Sequence, residues 1–148
     1  YEPLPDPEEY RSDDCLWFFN AVPAMVNETG DFDFYNKVLP YADEGQDTVF
    51  GHLRRALAFN LERSGRNNLP CGLSADWNDC LRLGYYGESL FVAFQLRLGL
   101  STYAEIAERL GCRALSVNAT AMAVEVLGKP IPNTALLAAF LSDAAPLA

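Results

Sequence analysis

Histidine is almost missing from this chain: His52 is the only one in 148 residues. The four cysteines, Cys15, Cys71, Cys80 and Cys112, form no CxxC pair and have no His cluster nearby. The usual zinc ligand spacings are therefore absent, and the cysteines read as free thiols of a reducing compartment. No stretch reaches the roughly 18 uninterrupted apolar residues of a membrane span, so no membrane partner is expected. Basic residues are too few for a nucleic-acid surface: 11 Lys and Arg face 20 Asp and Glu, a net charge of −9. No segment alternates with period two for more than a few residues, which removes the usual signature of a half-buried strand.

What is present fits a folded domain. Half the residues are apolar and 21% are charged, enough for a core and too apolar for a disordered chain. A chain of this length buries about two-thirds of its unfolded surface and needs no staple. The sequence starts at Tyr1 with no visible signal peptide, so it is expected to be processed or cut from something longer, and cytoplasmic. The sequons at Asn27 and Asn118 are then chance matches. Charge is lopsided: residues 1–47 carry twelve acids and two bases, and residues 48–148 carry eight acids and nine bases. Either a solvated acidic surface or a face for a basic partner produces that pattern.

Pro3, Pro5 and Pro7 make residues 1–12 an extended lead-in. Ser12 or Asp13 can cap a first helix running to Gly30, with Pro23 as a kink or break. A short helical turn covers Phe34–Leu39. The clearest helix is Asp47–Ser64, where Val49, Phe50, Leu53, Ala56, Leu57 and Leu61 form one stripe of period near 3.6. His52, Arg54 and Arg55 fall on its polar side as a solvated face. Further helices are expected at Glu88–Leu100, Tyr103–Leu110, Ala119–Leu127 and Thr134–Leu141, the last two capped by Asn118 and Asn133. Successive amphipathic helices joined by short loops define an all-α fold of stacked helical hairpins.

One irregular stretch, from Arg66 to about Tyr86, is too long for a plain connection and reads as functional. It contains Asp76, Trp77, Asn78 and Asp79. A carboxyl beside an indole is partly desolvated, which raises its pKa and suits it to proton donation. An indole face is also a platform for a sugar ring, with Asp and Asn beside it to bond hydroxyls. The alternative is structural: Asp76 or Asp79 caps a turn and Trp77 plugs the core.

The run GLSADWNDCLRLG followed by GES resembles the catalytic loop of the inverting disaccharide phosphorylases of glycoside hydrolase family 94. The resemblance continues upstream through RSDDCLWFFNAV, VLPYADEGQDTVFGHLRRAL and FNLERSG, covering about residues 10–111. It implies a slice, residues 1–112, of an (α/α)6 barrel, the six-hairpin glycosidase fold. Asp79 matches the general acid. Trp77 and Asp14 match residues on the sugar whose anomeric carbon reacts, and Arg11 and Asp76 are further substrate-binding candidates, Arg11 by a looser match. Cys15 stands where the family usually carries another residue. The resemblance also implies that the GES segment, residues 87–89, helps hold the acid loop, with Glu88 as a supporting or helix-starting residue. The implied reaction cleaves a β-linked disaccharide with inorganic phosphate as co-substrate, without metal or organic cofactor. A six-hairpin hydrolase using water and a non-catalytic helical packing module are the alternatives. The family's phosphate-binding segments are not found, so the isolated chain is expected to be inactive, its partners being the remainder of the barrel or a second copy. Beyond Gly111, LSVNATAMAVEVLGKPIPNTALLAAFL is similar instead to the C-terminal part of the gamma subunit of 2-oxoacid:ferredoxin oxidoreductases. Residues 113–148 are expected to be a helical tail packed on the same unit, either a segment of that subunit type or two ordinary alanine-rich amphipathic helices.

Overall fold

A computed structural model describes residues 10–112. The helices expected over 119–127 and 134–141, their Asn caps and the tail's packing lie outside the described residues. Within them, three α-helices carry the architecture: α1 (Phe18–Thr29), α2 (Val49–Glu62) and α3 (Leu90–Arg109). Two short 3-10 helices, Asp14–Trp17 and Phe32–Asn36, flank α1. The described residues are mostly helical, as expected, but the expectation of no strands is overturned. Strands β1 (Val38–Pro40) and β2 (Gln46–Thr48) pair antiparallel, as do β3 (Cys71–Leu73) and β4 (Gly84–Glu88). Three of them have only three residues, too short to show alternation, and β3 is buried throughout, so it has no polar face to alternate with.

α2 matches its apolar stripe. Thr48 caps it, its Oγ1 accepting from Gly51 N at 3.0 Å, and Val49, Leu53, Ala56 and Leu57 are buried. The first helix differs from expectation at its start. Neither Ser12 nor Asp13 caps it through its side chain; both hydrogen-bond elsewhere, as described below. Pro23 sits inside α1 without ending it, because Phe19, Val22 and Val26 on either side are held by the core. Gly30, at φ 71°, closes the helix in the left-handed conformation that glycine adopts without strain.

The two helices expected over 88–110 are one continuous helix of 20 residues, about 30 Å long. Gly99 is there for packing: a Cβ would lie 3.0 Å from Phe19 and 3.1 Å from Leu57, so glycine lets α3 approach α1 and α2. The core gathers Leu16, Phe19, Leu53, Leu57, Val92 and Leu96 between these helices. Replacing Gly99 by valine forces branched bulk into that contact and is expected to cost about 1–3 kcal/mol. The urea midpoint should fall, and an unchanged midpoint would refute the close-approach role.

Candidate active site

The long irregular stretch is organised as an antiparallel pair with a ten-residue connection. Cys71 pairs with Glu88 and Leu73 with Gly84, so the acid loop, residues 74–83, springs from both ends of a short ladder. Each end of the loop turns through left-handed backbone, at Leu73 (φ 54°) and Gly84 (φ 59°). For a buried leucine that conformation is strained, by roughly 1–3 kcal/mol, and must be held by its surroundings.

The holding comes from the segment that precedes Asp14. Ser74 N and Ser74 Oγ both donate to Tyr10 O, at 3.1 and 2.7 Å. Ser12 N donates to Ala75 O at 3.0 Å, and Ser12 Oγ lies 3.0 Å from Gly72 O and 3.3 Å from Ala75 O. Ser12 is fully buried in this lacing. Two stretches about sixty residues apart are thereby fixed side by side. Glu88 does the same for the approach to β3: its carboxylate accepts from Asn67 N and Nδ2, both at 2.7 Å, and from Leu69 N at 3.2 Å. Those bonds hold the Glu88 carboxyl below its ordinary pKa.

Within the loop, Asp76 and Asn78 each start a turn. Asn78 N donates to Asp76 Oδ1 at 2.8 Å, and Cys80 N donates to Asn78 Oδ1 at 3.1 Å. The other Asp76 oxygen accepts from Ser89 Oγ at 2.6 Å. Asp76 is 5% exposed. The structural alternative for this residue is thus the one observed: Asp76 braces a turn from inside and does not face solvent as a substrate-binding residue would. Trp77 goes the other way. It does not plug the core: it is 68% exposed, its ring 6.0 Å from that of Phe91.

Asp79 follows on the outer side of the loop, with Arg11 Nη1 2.9 Å from its Oδ1. The desolvation expected from the neighbouring indole is not present, since the Asp79 side chain is 66% exposed. Arg11 is half exposed too, and a pair this open contributes at most about 1 kcal/mol. Three residues on, Asp14 opens the first 3-10 helix and lines a cleft of about 570 Å³ with Arg11, Arg55 and Arg63. Arg11 and Asp79 are therefore in contact, Asp14 lines the same cleft as Arg11, and Asp76 is buried.

Asp13, expected only as a cap, is a second buried carboxyl of this region. It accepts from Trp17 Nε1 at 2.9 Å. Burial pushes its pKa above the ordinary 3.8, the Trp17 bond opposes that, and the charges of Asp14 and Asp76 reinforce it. His52 departs from the solvated face expected of it. It is half-buried, Nε2 lies 3.0 Å from Leu39 O, and its ring is 4.1 Å from Tyr41. Arg55 is bound to Asp43 and lies over Tyr41. Sequence reasoning offers Ser12 only as a helix cap and does not name Ser89 by itself. The signal available for Ser89 was its place one residue before an apolar helix, where serine is a favoured cap.

Comparison with known proteins defines the class first. Residues 5–131 match the Glycosyl hydrolase 94 superfamily, catalytic domain, and the chain belongs to that family. The match runs beyond Gly111, where the family resemblance was expected to stop, into the segment likened to an oxidoreductase subunit. Among particular proteins, it is 46% identical to an N,N'-diacetylchitobiose phosphorylase of Vibrio furnissii, over 65% of this chain and 12% of that protein. It is 42% identical to the protein of the same name from Vibrio proteolyticus, over 68% and 12%. A solabiose phosphorylase of Paenibacillus borealis is 35% identical over 71% of this chain and 14% of the relative. The chain thus spans about an eighth of the length of these relatives.

Asp13 supplies a test of the buried region. A carboxyl whose pKa is higher folded than unfolded favours folding at low pH, and that contribution is lost as pH rises above 3.8. Asp13→Asn keeps an acceptor for Trp17 and removes the charge. Its urea midpoint relative to the parent should therefore rise between pH 4 and pH 7. A difference that does not change with pH would show that Asp13 carries no burial penalty.

Proposed function

We propose that this chain is a section of an (α/α)6 catalytic domain from an inverting disaccharide phosphorylase, with Asp79 as its general acid. The observation that carries the reading is the Arg11–Asp79 contact, which brings the RSDD segment and the ADWND loop to one surface beside an exposed indole. Protonated Asp79 gives its proton to the interglycosidic oxygen as an oxygen of inorganic phosphate attacks the anomeric carbon from the opposite face. The glycosidic C–O bond breaks as the C–O bond to phosphate forms, yielding an α-sugar 1-phosphate and the released sugar. An inverting hydrolase needs a second carboxylate to activate water; phosphate is already an anionic nucleophile and dispenses with it. Trp77 offers the ring platform and Asp14 bonds hydroxyls of the sugar being transferred. Arg11 orients Asp79 and must release it before the acid takes up a proton. The substrate class is a β-linked disaccharide. No organic cofactor or metal is called for, and the partner is the remainder of the catalytic domain.

The test is a full-length chimera in which residues 10–111 replace the matching segment of the Vibrio furnissii relative. Turnover of N,N'-diacetylchitobiose should require phosphate and should yield sugar 1-phosphate. Equal turnover without phosphate would make the site hydrolytic. Asp79→Asn should lower kcat by about 10²–10⁴, the usual contribution of a positioned acid, and retained activity would take the role from Asp79. The 148-residue chain alone should release no sugar 1-phosphate at the roughly 1–1000 per second of ordinary enzymes, because one reactant's binding groups are not in it.

A further inference from the structure

The geometry points to Ser89 and Asp76 as positioning residues for Asp79, fixing the acid loop to the first turn of α3. The inference rests on the phosphorylase reading for what is being positioned, and on hydrogen bonds for how.

Ser89 lies where three elements meet. Its backbone N–H donates to Pro70 O at 2.9 Å, tying it to the start of β3. Its hydroxyl oxygen accepts from Val92 N at 3.2 Å and caps α3. Its one hydroxyl proton goes to Asp76 Oδ2 at 2.6 Å. The opposite carboxylate oxygen of Asp76 receives Asn78 N, so the turn that leads into Asp79 is set by the orientation of one buried carboxylate. Both side chains are at least nineteen-twentieths buried, Asp76 at 5% and Ser89 at 4% exposure. Rotating the loop off this arrangement strands a carboxylate away from water without a donor, which a folded chain tolerates poorly. The outer contact of the loop, Arg11 with Asp79, is open to solvent and cannot impose comparable order. α3 runs from this point into the core through Val92 and Leu96, so the loop inherits the rigidity of the helix.

Three variants separate positioning from capping. Ser89→Ala removes the cap and the bond to Asp76. Asp76→Ala leaves Ser89 free to cap Val92 and removes both carboxylate bonds, to Ser89 Oγ and to Asn78 N. Ser89→Thr retains the hydroxyl. In the phosphorylase chimera described above, Ser89→Ala and Asp76→Ala should each lower kcat at least tenfold with KM for the disaccharide within twofold, and Ser89→Thr should recover to within threefold of the parent. Values of kcat within twofold of the parent, or losses confined to KM, would overturn the proposal. A second readout uses the 148-residue chain itself and needs no activity. Hydrogen exchange of the Asn78 amide should speed at least tenfold in both alanine variants and not in Ser89→Thr, while amides in the middle of α3 remain protected. Unchanged Asn78 exchange would overturn the coupling. A parent chimera without phosphate-dependent turnover would refute the phosphorylase reading, and the exchange measurement would still decide whether Ser89 and Asp76 hold the loop. An alanine variant that does not fold is replaced by Ser89→Gly, which keeps a tolerated cap residue and deletes the hydroxyl, with the same outcomes.

Discussion

A buried carboxylate fixes the geometry of the candidate site. Asp76 is out of water, and an ionised carboxylate in that position is acceptable only with donors on its oxygens. Ser89 Oγ and Asn78 N supply them. A hydrogen bond to a charged group contributes about 1.5–3 kcal/mol, and leaving such a group unsatisfied costs more. The exposed Arg11–Asp79 pair contributes at most about 1 kcal/mol. The order of magnitudes therefore assigns the loop's position to its hidden face and leaves its outer face adjustable.

The same lacing explains why a strained residue survives at the base of the loop. Leu73 adopts a conformation that a branched side chain avoids, but it is 1% exposed and lies between residues bonded to Tyr10 and Ser12. Its burial and its neighbours' backbone bonds offset the strain. Further out, support thins. Phe94, Leu90 and Leu98 lie on the outer side of α3 with 69%, 65% and 49% exposure, a run of large apolar groups that one helix does not keep in water without reason. A chain spanning 12% of its first relatives lacks most of the neighbours that the proposed domain would place around such a helix.

Legibility from sequence followed the range of the interactions involved. α2 was readable because its period, its cap region and its packing agree over 14 residues. α3 is expected from sequence as two helices, whereas it packs as one through contacts of Gly99 with Phe19 and Leu57, far away in sequence. The strands were missed because a three-residue pairing leaves no periodic trace. In the site, Trp77 and Asp79 were legible as chemistry on a loop, but their exposure was not, since the sequence suggested a desolvated carboxyl and both side chains are open to solvent. Asp76 was not separable from them: the two aspartates have the same side chain and stand three residues apart, and only burial tells them apart. Asp13 and Asp14 posed the same problem, adjacent in sequence and differing in that Asp13 is buried against Trp17.

Electrostatics set the last constraint on what this chain can do. Inorganic phosphate approaches as an anion, and the protein carries net charge −9, so a local cationic pocket has to overcome the general repulsion. The three guanidiniums lining the cleft beside Asp14 are already committed. Arg11 is paired with Asp79, Arg55 with Asp43, and Arg63 lies over Phe59 within 3.8 Å of Glu62. Freeing any of them for phosphate exposes a carboxylate that repels the same ligand. The guanidiniums of that cleft are therefore held by carboxylates or an aromatic ring before any anion arrives, so binding an anion there has to begin by breaking one of those contacts.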